Sequence, residues 1–159
     1  RQDDGQVEAP VAEVRERMGD IDGAVADLEA LRAGLPDLPR IQQADLLRRL
    51  GQAYEKKGET DSALDAFSEA LGLIGSDIQS PTGALLLHAA GSANISKGRY
   101  DEALQFCESS LHLLSTLGDT LDVARVYNTA GVARTFLGDY AKAWEWLQRS
   151  LDIRKKCED

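Results

Sequence analysis

The stretch LRRLGQAYEKKGETDSALDAFSEA, residues 47–70, decides the fold of this 159-residue chain. Its pattern returns twice further along the chain, because the same residues recur in four columns at intervals of forty positions. The four columns are Gly51, Gly91 and Gly131; Gly58, Gly98 and Gly138; Ala63, Ala103 and Ala143; and Leu71, Leu111 and Leu151. A fixed period of this size indicates one supersecondary unit that is repeated and stacked. Stacks of this kind usually carry their function on the surface that the stacking creates.

Apolar residues within each repeat are spaced as on amphipathic helices. Ala63, Phe67 and Ala70 lie at i, i+4 and i+7, which is the helical period, and no segment alternates strictly enough to indicate a strand. The sequence therefore predicts an all-α fold of about eight helices, with glycines at most of the breaks. The expected helices are residues 7–18, 22–33, 40–57, 60–74, 81–97, 100–116, 119–137 and 140–156.

Polar residues at the predicted helix starts can satisfy the free backbone N–H groups there. Ser80 precedes Pro81, so its hydroxyl is expected to cap a helix whose first turn accommodates proline. Asp119 is expected to bring an acidic group to a helix start, where the dipole favours it. Thr60 and Asp139 are expected to cap the second helices of their pairs.

The recurrent glycines have two different roles. The Gly51 column lies inside helices, where glycine costs about 1 kcal/mol relative to alanine. That cost is acceptable if two helices approach closely there, and the Ala63 column is expected to supply the facing small surface. The Gly58 column follows the first helix of each pair, where a left-handed C-cap favours glycine.

Net charge restricts the classes of partner. The chain carries 18 basic and 27 acidic residues, a net charge of −9, and residues 1–31 alone hold three arginines and nine acidic residues. Nucleic acid and anionic membrane surfaces are not expected partners, because phosphate binding needs a basic surface. No apolar run approaches the roughly 18 residues that a membrane span needs.

Reactive and metal-binding motifs are not found in the sequence. Cys107 and Cys157 have no ligand spacing, and Cys107 falls on an apolar helix face where burial is expected. With no phosphate loop, GxSxG or HExxH motif, the chain is predicted to be non-catalytic, without metal or cofactor. The cysteines favour a reducing, cytoplasmic setting. The first residue is Arg1 rather than Met, which favours a fragment of a larger protein.

The repeat resembles the tetratricopeptide repeat. Residues 40–75 contain its full signature, namely Leu47, Leu50, Gly51, Tyr54, Gly58, Ala63, Phe67 and Ala70. In the next two repeats Asn94 and Arg134 replace the aromatic residue that Tyr54 supplies. The resemblance implies a right-handed α-solenoid of antiparallel helix pairs, a TPR-like superhelix, forming a single array over residues 1–159. The expected repeats are residues 7–35, which are degenerate, 40–75, 81–117 and 119–157.

The period of forty is longer than the usual thirty-four, which implies an added helical turn or a longer connection. This long variant is similar to repeats in kinesin light chains, mitotic-orientation adaptors, bacterial peptide-sensing regulators, and bacterial multidomain signalling ATPases and cyclases. The resemblance does not choose among these classes.

In the resembled family the first helix of each repeat lines a concave groove that binds a peptide. The groove positions in this chain predict a partner-binding surface of cationic, polar and apolar side chains. Its members are Arg48, Arg49, Gln52, His88, Ser92, Arg125, Asn128, Thr129, Val132 and Phe136. Because guanidinium groups pair with carboxylates, the expected ligand is a protein or peptide segment with acidic groups. The alternative is that these residues form ordinary solvated helix faces.

Some members of the family hold a C-terminal carboxylate with a fixed set of basic and amide side chains. The corresponding places here are Arg48, Gln52, Ala89, Arg125 and Thr129. Only the positive charges at Arg48 and Arg125 are kept, and Ala89 has no amide, so a clamp of this kind is disfavoured.

Two further features remain open to more than one interpretation. His88 is expected to face the groove as a peptide contact, with a pH switch as the alternative. Trp144, Leu147 and Leu151 share one helix face and are expected to pack the terminal helix pair. That face could instead contact a following helix or form a homodimer through the terminal repeat.

Together these features predict a non-catalytic protein–protein interaction module. The first alternative is a regulatory or sensor arm of a bacterial multidomain ATPase, cyclase or transcription regulator. The second is a self-association scaffold.

Overall fold

The structure is a computed structural model that describes residues 12–118 and 120–158. Over these residues the chain forms eight α-helices and no strand. They are α1 (residues 12–17), α2 (Ile21–Arg32), α3 (Arg40–Lys57), α4 (Thr60–Ile74), α5 (Pro81–Ser96), α6 (Tyr100–Leu114), α7 (Leu121–Phe136) and α8 (Tyr140–Glu158). The predicted ranges agree closely with these bounds, but the predicted residues 7–11 of the first helix lie outside the described residues.

The helices belong to two compact units, of which the first ends at Asp77 and the second begins at Ile78. In the first unit α2 packs against α3, and α3 packs against α4. In the second unit α5 packs against α6 and α7 against α8, while α7 also contacts α6 and α5. The predicted all-α fold of paired helices is therefore confirmed. Within the described residues, no helix is both long and apolar enough to cross a membrane.

The connections between pairs are longer than the turns inside pairs. Residues 75–80 follow α4 and residues 115–120 follow α6, and each connection contains a short 3-10 helix, Gly75–Ile78 or Ser115–Leu117. The turn inside a pair is shorter, as residues 97–99 between α5 and α6 illustrate.

The turn inside each pair depends on a glycine, as the sequence predicts. Gly58, Gly98 and Gly138 have φ angles of 84°, 71° and 81°, a left-handed conformation that side chains with a Cβ rarely adopt. The residue after Gly98, Arg99, donates its backbone N–H to the carbonyl of Asn94 at 2.9 Å. This bond satisfies one of the free carbonyls at the end of α5.

The predicted close approach of the two helices at the inner glycines is also confirmed. A Cβ added to Gly51 would lie 2.4 Å from Cε1 of Phe67, and a Cβ added to Gly131 would lie 2.7 Å from Cγ of Leu147. The expectation that the Ala63 column faces these glycines is wrong for the side chains. The side chain one turn later lies there instead, Phe67 against Gly51 and Leu147 against Gly131. Helical side chains point back toward the helix N-terminus, so each covers the turn that precedes its own Cα.

The capping residues at the helix starts agree with the sequence prediction in part. The side chains of Ser80 and Asp139 accept the backbone N–H three residues on, at 3.1 and 3.4 Å, as predicted. The start of α7 differs, since Thr120 accepts the corresponding N–H at 3.3 Å and Asp119 lies outside the described residues. Thr60 is the first residue of α4 rather than its cap. A threonine hydroxyl one position further out would be needed to reach the free N–H groups.

Two buried serines repeat the same hydrogen bond in the second unit. Ser110 donates its hydroxyl to the carbonyl of Ala84 at 2.7 Å, and Ser150 donates to the carbonyl of Ala124 at 2.6 Å. Each bond joins the end of a second helix to the start of its first helix. The equivalent position in the first unit is Ala70, which has no hydroxyl.

The three residues at the position of the signature aromatic are stabilised in different ways. The Tyr54 hydroxyl donates to Glu29, and this bond, with burial, raises the pKa of Tyr54 to about 12. Asn94 is buried and donates its amide to the carbonyl of Ala90 at 2.8 Å. Arg134 lies with its guanidinium carbon 4.3 Å from the ring centroid of Trp146. These contacts keep the position filled without a common residue type.

Arg134 also forms ion pairs with carboxylates on two neighbouring segments. Its guanidinium nitrogens lie 2.9 Å from Glu108 and 2.8 Å from Asp139. Because the side chain is mostly buried beside Trp146, the pairs are less screened than exposed ones. Arg134 therefore links α7 to α6, to α8 and to the turn between α7 and α8.

The terminal pair α7–α8 packs through a different tryptophan from the one expected. Leu147 fits against Gly131 as predicted, but Trp144 and Leu151 are exposed, so the expectation that they pack this pair is wrong. Trp146 packs instead, edge-on to Tyr127 with ring centroids 5.8 Å apart.

Candidate functional site

The predicted partner-binding residues lie on the first helices of three pairs, one in the first compact unit and two in the second. The first unit holds Arg48, Arg49 and Gln52 on α3. The second unit holds His88 and Ser92 on α5, and Arg125, Asn128, Thr129, Val132 and Phe136 on α7.

On α3 both arginines are paired with one carboxylate, Asp45. Arg48 donates to Asp45 at 2.6 Å and to the Gln52 side chain at 2.8 Å, and Arg49 donates to Asp45 at 2.8 Å. Burial acts to raise the pKa of Asp45, but the two arginines outweigh it and the pKa is lowered. The sequence gives a signal for this pairing that the prediction did not use, because Asp45 stands at i−3 and i−4 to the two arginines.

A cavity of about 260 Å³ adjoins these side chains. Its lining consists of Ala12, Glu13, Glu16 and Leu28 together with Arg48, Arg49 and Gln52. Glu16 also forms an ion pair with Lys56 of α3. The structure thus brings the three predicted residues together, but it surrounds them with carboxylates. An acidic ligand would have to compete with Asp45, Glu13 and Glu16 there.

On α7 the five predicted residues form one continuous stripe. They lie at i, i+3, i+4, i+7 and i+11 from Arg125, which is one face of a helix. The packing face of α7 is formed by other residues, namely Val123, Ala124, Val126, Ala130, Gly131 and Ala133. With a rise of 1.5 Å per residue, the α carbons at the two ends of the stripe are about 16 Å apart.

A hydrogen bond between His88 and Thr129 joins α5 to this stripe. The Thr129 hydroxyl lies 3.1 Å from the Arg125 carbonyl, to which it donates, and 2.9 Å from His88 Nε2. The hydroxyl has one proton to donate, so its bond to the Arg125 carbonyl is compatible with the His88 tautomer that is protonated at Nε2. Burial, with the nearby charge of Arg125, lowers the pKa of His88 to about 4. The lowered pKa favours a neutral His88 ring near pH 7 and argues against a pH switch in that range.

Arg125 is the most accessible of the three predicted arginines. Its side chain is 62% exposed, whereas that of Arg48 is 13% exposed. The nearest carboxylate, Asp122, is 3.4 Å away on the same helix turn, a longer separation than in the α3 pairs. The Arg125 guanidinium can therefore reorient toward a carboxylate of a ligand at little cost.

Phe136 ends the stripe with an exposed aromatic ring. The ring stacks on Tyr100, with centroids 4.5 Å apart and planes inclined by 3°. Tyr100 is a part of this surface that the sequence prediction missed, and only its proximity in the fold reveals it. Ala89, which the clamp comparison places in the groove, is buried and cannot contact a ligand.

The described residues contain no group of three or more His, Cys, Asp or Glu side chains that could hold a metal ion. Cys107 is buried, and burial together with Glu108 raises the pKa of its thiol to about 12. The surface of α5 and α7 offers hydrogen-bonding groups, the accessible positive charge of Arg125 and apolar side chains.

Comparison with known protein families identifies the fold. Two profiles described as Tetratricopeptide repeat match the chain, one over residues 12–84 and the other over residues 83–156. The chain belongs to the tetratricopeptide repeat family. Proteins of this fold are generally non-catalytic interaction modules, and the two matches support a protein-interaction module here. No curated protein matches the sequence as a whole.

Solved structures agree with this assignment. BtubC (BKLC) from P. vanneervenii is similar with a TM-score of 0.80 at 21% identity, over 91% of this chain and 60% of that chain. A putative kinesin light chain with TPR-like repeats from Podospora anserina gives 0.75 at 16% identity, over 99% of this chain and 78% of that chain. This chain therefore spans about 60% of the length of BtubC. At these identities the likeness concerns the fold alone.

A third similar structure contains a bound peptide. It is the second TPR of Spaghetti (RPAP3) bound to the HSP90 peptide SRMEEVD, with a TM-score of 0.59 at 25% identity, over 71% of this chain and 94% of that chain.

Proposed function

We propose that the chain binds an extended segment of a partner protein on the first-helix surface of its second unit, where α5 and α7 lie side by side. This surface is the part of the predicted groove that the structure supports best. Arg48, Arg49 and Gln52 are less suited to an acidic ligand, because both arginines already pair with Asp45 and because Glu13 and Glu16 line the adjoining cavity.

One observation carries the proposal. The α7 stripe has an accessible cation at one end and an exposed aromatic ring at the other, and the His88–Thr129 bond fixes α5 beside it. Tyr100 supports the ring from behind, so the Phe136 contact surface is preorganised. Preorganised contacts lose less entropy on binding than mobile ones.

The geometry of the stripe specifies the chemistry of the ligand. A carboxylate of the ligand would pair with Arg125, and an apolar side chain would cover Phe136. Asn128 and Ser92 can form hydrogen bonds with the peptide backbone between these ends, and Val132 offers apolar contact. The separation of about 16 Å corresponds to about five residues of an extended chain at roughly 3.3 Å each. The expected ligand therefore has an acidic and an apolar residue about five positions apart.

A terminal carboxylate is a less suitable ligand than an internal acidic side chain. The peptide SRMEEVD bound by the Spaghetti repeat ends in an acidic residue. In this chain Ala89 offers no amide and is buried. We expect SRMEEVD to bind more weakly than a peptide with the internal spacing given above.

The test uses labelled synthetic peptides and fluorescence anisotropy. Each peptide carries one Glu and one Leu in a Ser/Ala background, separated by about two to eight positions. Affinity is expected to be highest near a separation of five. Arg125→Glu and Phe136→Ser should each weaken binding of that peptide by about tenfold, which is about 1.4 kcal/mol. Lys142→Glu is the matched control, since it makes the same charge reversal at an exposed residue on α8.

The proposal fails on either of two outcomes. One is an affinity that does not depend on the spacing of the acidic and apolar residues. The other is equal loss in the Lys142→Glu control, which would mean that overall charge rather than the α7 stripe determines binding. Tighter binding of SRMEEVD than of the spaced peptide would also contradict the assigned ligand chemistry.

A further inference from the structure

The outer side of α8 carries large apolar side chains that residues 12–118 and 120–158 do not cover. Tyr140, Trp144 and Leu151 are 70%, 71% and 45% exposed. They lie at i, i+4 and i+11, so they form one stripe about 16 Å long. Scattered exposed apolar residues are common, but a continuous stripe of aromatic and aliphatic side chains indicates an interaction surface.

The equivalent residues one repeat earlier show how the corresponding face of α6 is used. One period earlier, the equivalent residues are Tyr100, Leu104 and Leu111 of α6. Tyr100 stacks on Phe136 of α7, and the two leucines pack against the core cluster that contains Val123 and Val126 of α7. The face that α6 uses to bind a helix is therefore repeated on α8, where the described residues provide no helix to cover it.

A shallow cleft borders the same stripe. Its volume is about 480 Å³, and its lining consists of Tyr127, Trp144, Glu145, Trp146, Gln148, Arg149 and Asp152. The cleft lies where α8 meets the side of α7, so a second helix placed on the stripe would contact both helices.

The order of residues along α8 makes the stripe complementary to itself. In an antiparallel pair centred between Leu147 and Gln148, residue Trp144 of one helix faces Leu151 of the other. The same centre places Tyr140 opposite Lys155, whose aliphatic stem can cover an aromatic ring. Both contacts occur twice, as required of an isologous interface with two-fold symmetry.

We propose that two copies of this chain associate through α8, packed antiparallel about this centre. The proposal is independent of the peptide-binding proposal, because it uses a different helix. Covering two aromatic side chains per copy removes about 600–1,000 Å² from water in total. This is less than the roughly 1,200 Å² of a stable specific interface. The dimer is therefore weak and forms reversibly with concentration.

Sedimentation velocity over concentrations from roughly 1 µM to roughly 1 mM tests the association. The weight-average mass should rise from 17.3 kDa toward twice that value. Trp144→Glu combined with Leu151→Glu should abolish the rise. Met18→Glu should leave it unchanged, because it places the same charge at an exposed apolar residue far from α8 in sequence. Peptide affinity of the Trp144→Glu, Leu151→Glu variant should be unaltered, which separates this test from that of the proposed function.

Cross-linking tests the register. Cys157 is replaced by serine, and a single cysteine is introduced at Gln148 beside the two-fold axis or at Lys142 on the opposite side of α8. With a short bis-maleimide reagent, Gln148→Cys should form covalent dimers several-fold faster than Lys142→Cys. Equal rates would overturn the antiparallel arrangement.

The remaining outcomes overturn self-association itself. A mass of 17.3 kDa at every concentration would do so, as would a dimer that persists in the Trp144→Glu, Leu151→Glu variant. Binding of a synthetic peptide with the sequence of Leu121–Phe136 to a chain that stays monomeric would assign the stripe to a helix of another polypeptide.

Discussion

The tight contact between Gly51 and Phe67 allows a sharp test of the repeat packing. Gly51→Ala and Gly72→Ala make the same substitution in helices of the first unit. A Cβ at Gly72 would meet nothing within 4 Å, whereas a Cβ at Gly51 would lie 2.4 Å from the Phe67 ring. The two variants should therefore change the free energy of unfolding in opposite directions.

The magnitudes follow from two opposing effects. Replacing a helical glycine by alanine stabilises by about 0.5–1 kcal/mol, and Gly72→Ala should show this gain. At Gly51 the same gain is opposed by overpacking against a rigid, buried ring, which costs about 1–3 kcal/mol. The net effect of Gly51→Ala is a destabilisation of up to roughly 2 kcal/mol. The variants should thus differ by about 1–3 kcal/mol in the free energy of unfolding.

Urea unfolding followed by far-UV circular dichroism measures this difference. A shift of the midpoint at constant m value reports stability alone. Phe67→Leu combined with Gly51→Ala provides a double-mutant cycle, in which the smaller side chain should relieve part of the clash. If Gly51→Ala stabilises the chain as much as Gly72→Ala does, the close approach is not the reason for a glycine at this position.

Three further predictions concern single side chains. Thiol labelling of the native chain at pH 8 should modify Cys157 and spare Cys107, whose pKa is raised to about 12 by burial; rapid labelling of both would contradict that burial. The pKa of His88 is lowered from 6.5 to about 4, so the unfolded state takes up its proton first as the pH falls. The free energy of unfolding should then decrease by up to roughly 3 kcal/mol between about pH 6.5 and pH 4, and His88→Gln should remove this part of the acid dependence. Arg134→Lys should lower the free energy of unfolding by about 1–2 kcal/mol in urea titrations, because lysine cannot keep the planar contact with Trp146 and both ion pairs; an unchanged midpoint would contradict this assignment.

The helix pairs could be predicted from the sequence because their signals are local. The Gly58 column marks the turn within each pair, and α3 and α4 begin and end where the glycines and apolar periodicity indicate. A left-handed C-cap requires a particular residue type at one position, so the sequence determines it directly. The close approach at Gly51 could be predicted for the same reason.

The contacts of individual side chains were harder to predict, because they depend on neighbours that periodicity does not specify. Trp144 and Leu151 do share a helix face with Leu147, as expected, but burial of a face requires another helix to cover it. Trp146 is partly buried instead, because Tyr127 and Arg134 lie against it.

The candidate site shows the same limit. The α7 stripe from Arg125 to Phe136 could be predicted from spacing and family resemblance together. The neutralisation of Arg48 by Asp45 and the support of Phe136 by Tyr100 were not predicted. The first has a sequence signal that the prediction did not use, namely the position of Asp45 at i−3 to Arg48. The second joins residues of different helices, and such a contact does not appear in a helical period.

The two buried serine hydroxyls have a mechanical consequence. In each helix pair of the second unit, the short turn joins the two helices at one end. The hydrogen bond from Ser110 or Ser150 joins them toward the other end. The two helices of such a hairpin cannot separate at the end opposite the turn without breaking a buried hydrogen bond. The pair α3–α4 has Ala70 at this position, which has no hydroxyl to form such a bond. Under load, we therefore expect α3 and α4 to separate before the helices of α5–α6 and of α7–α8 do.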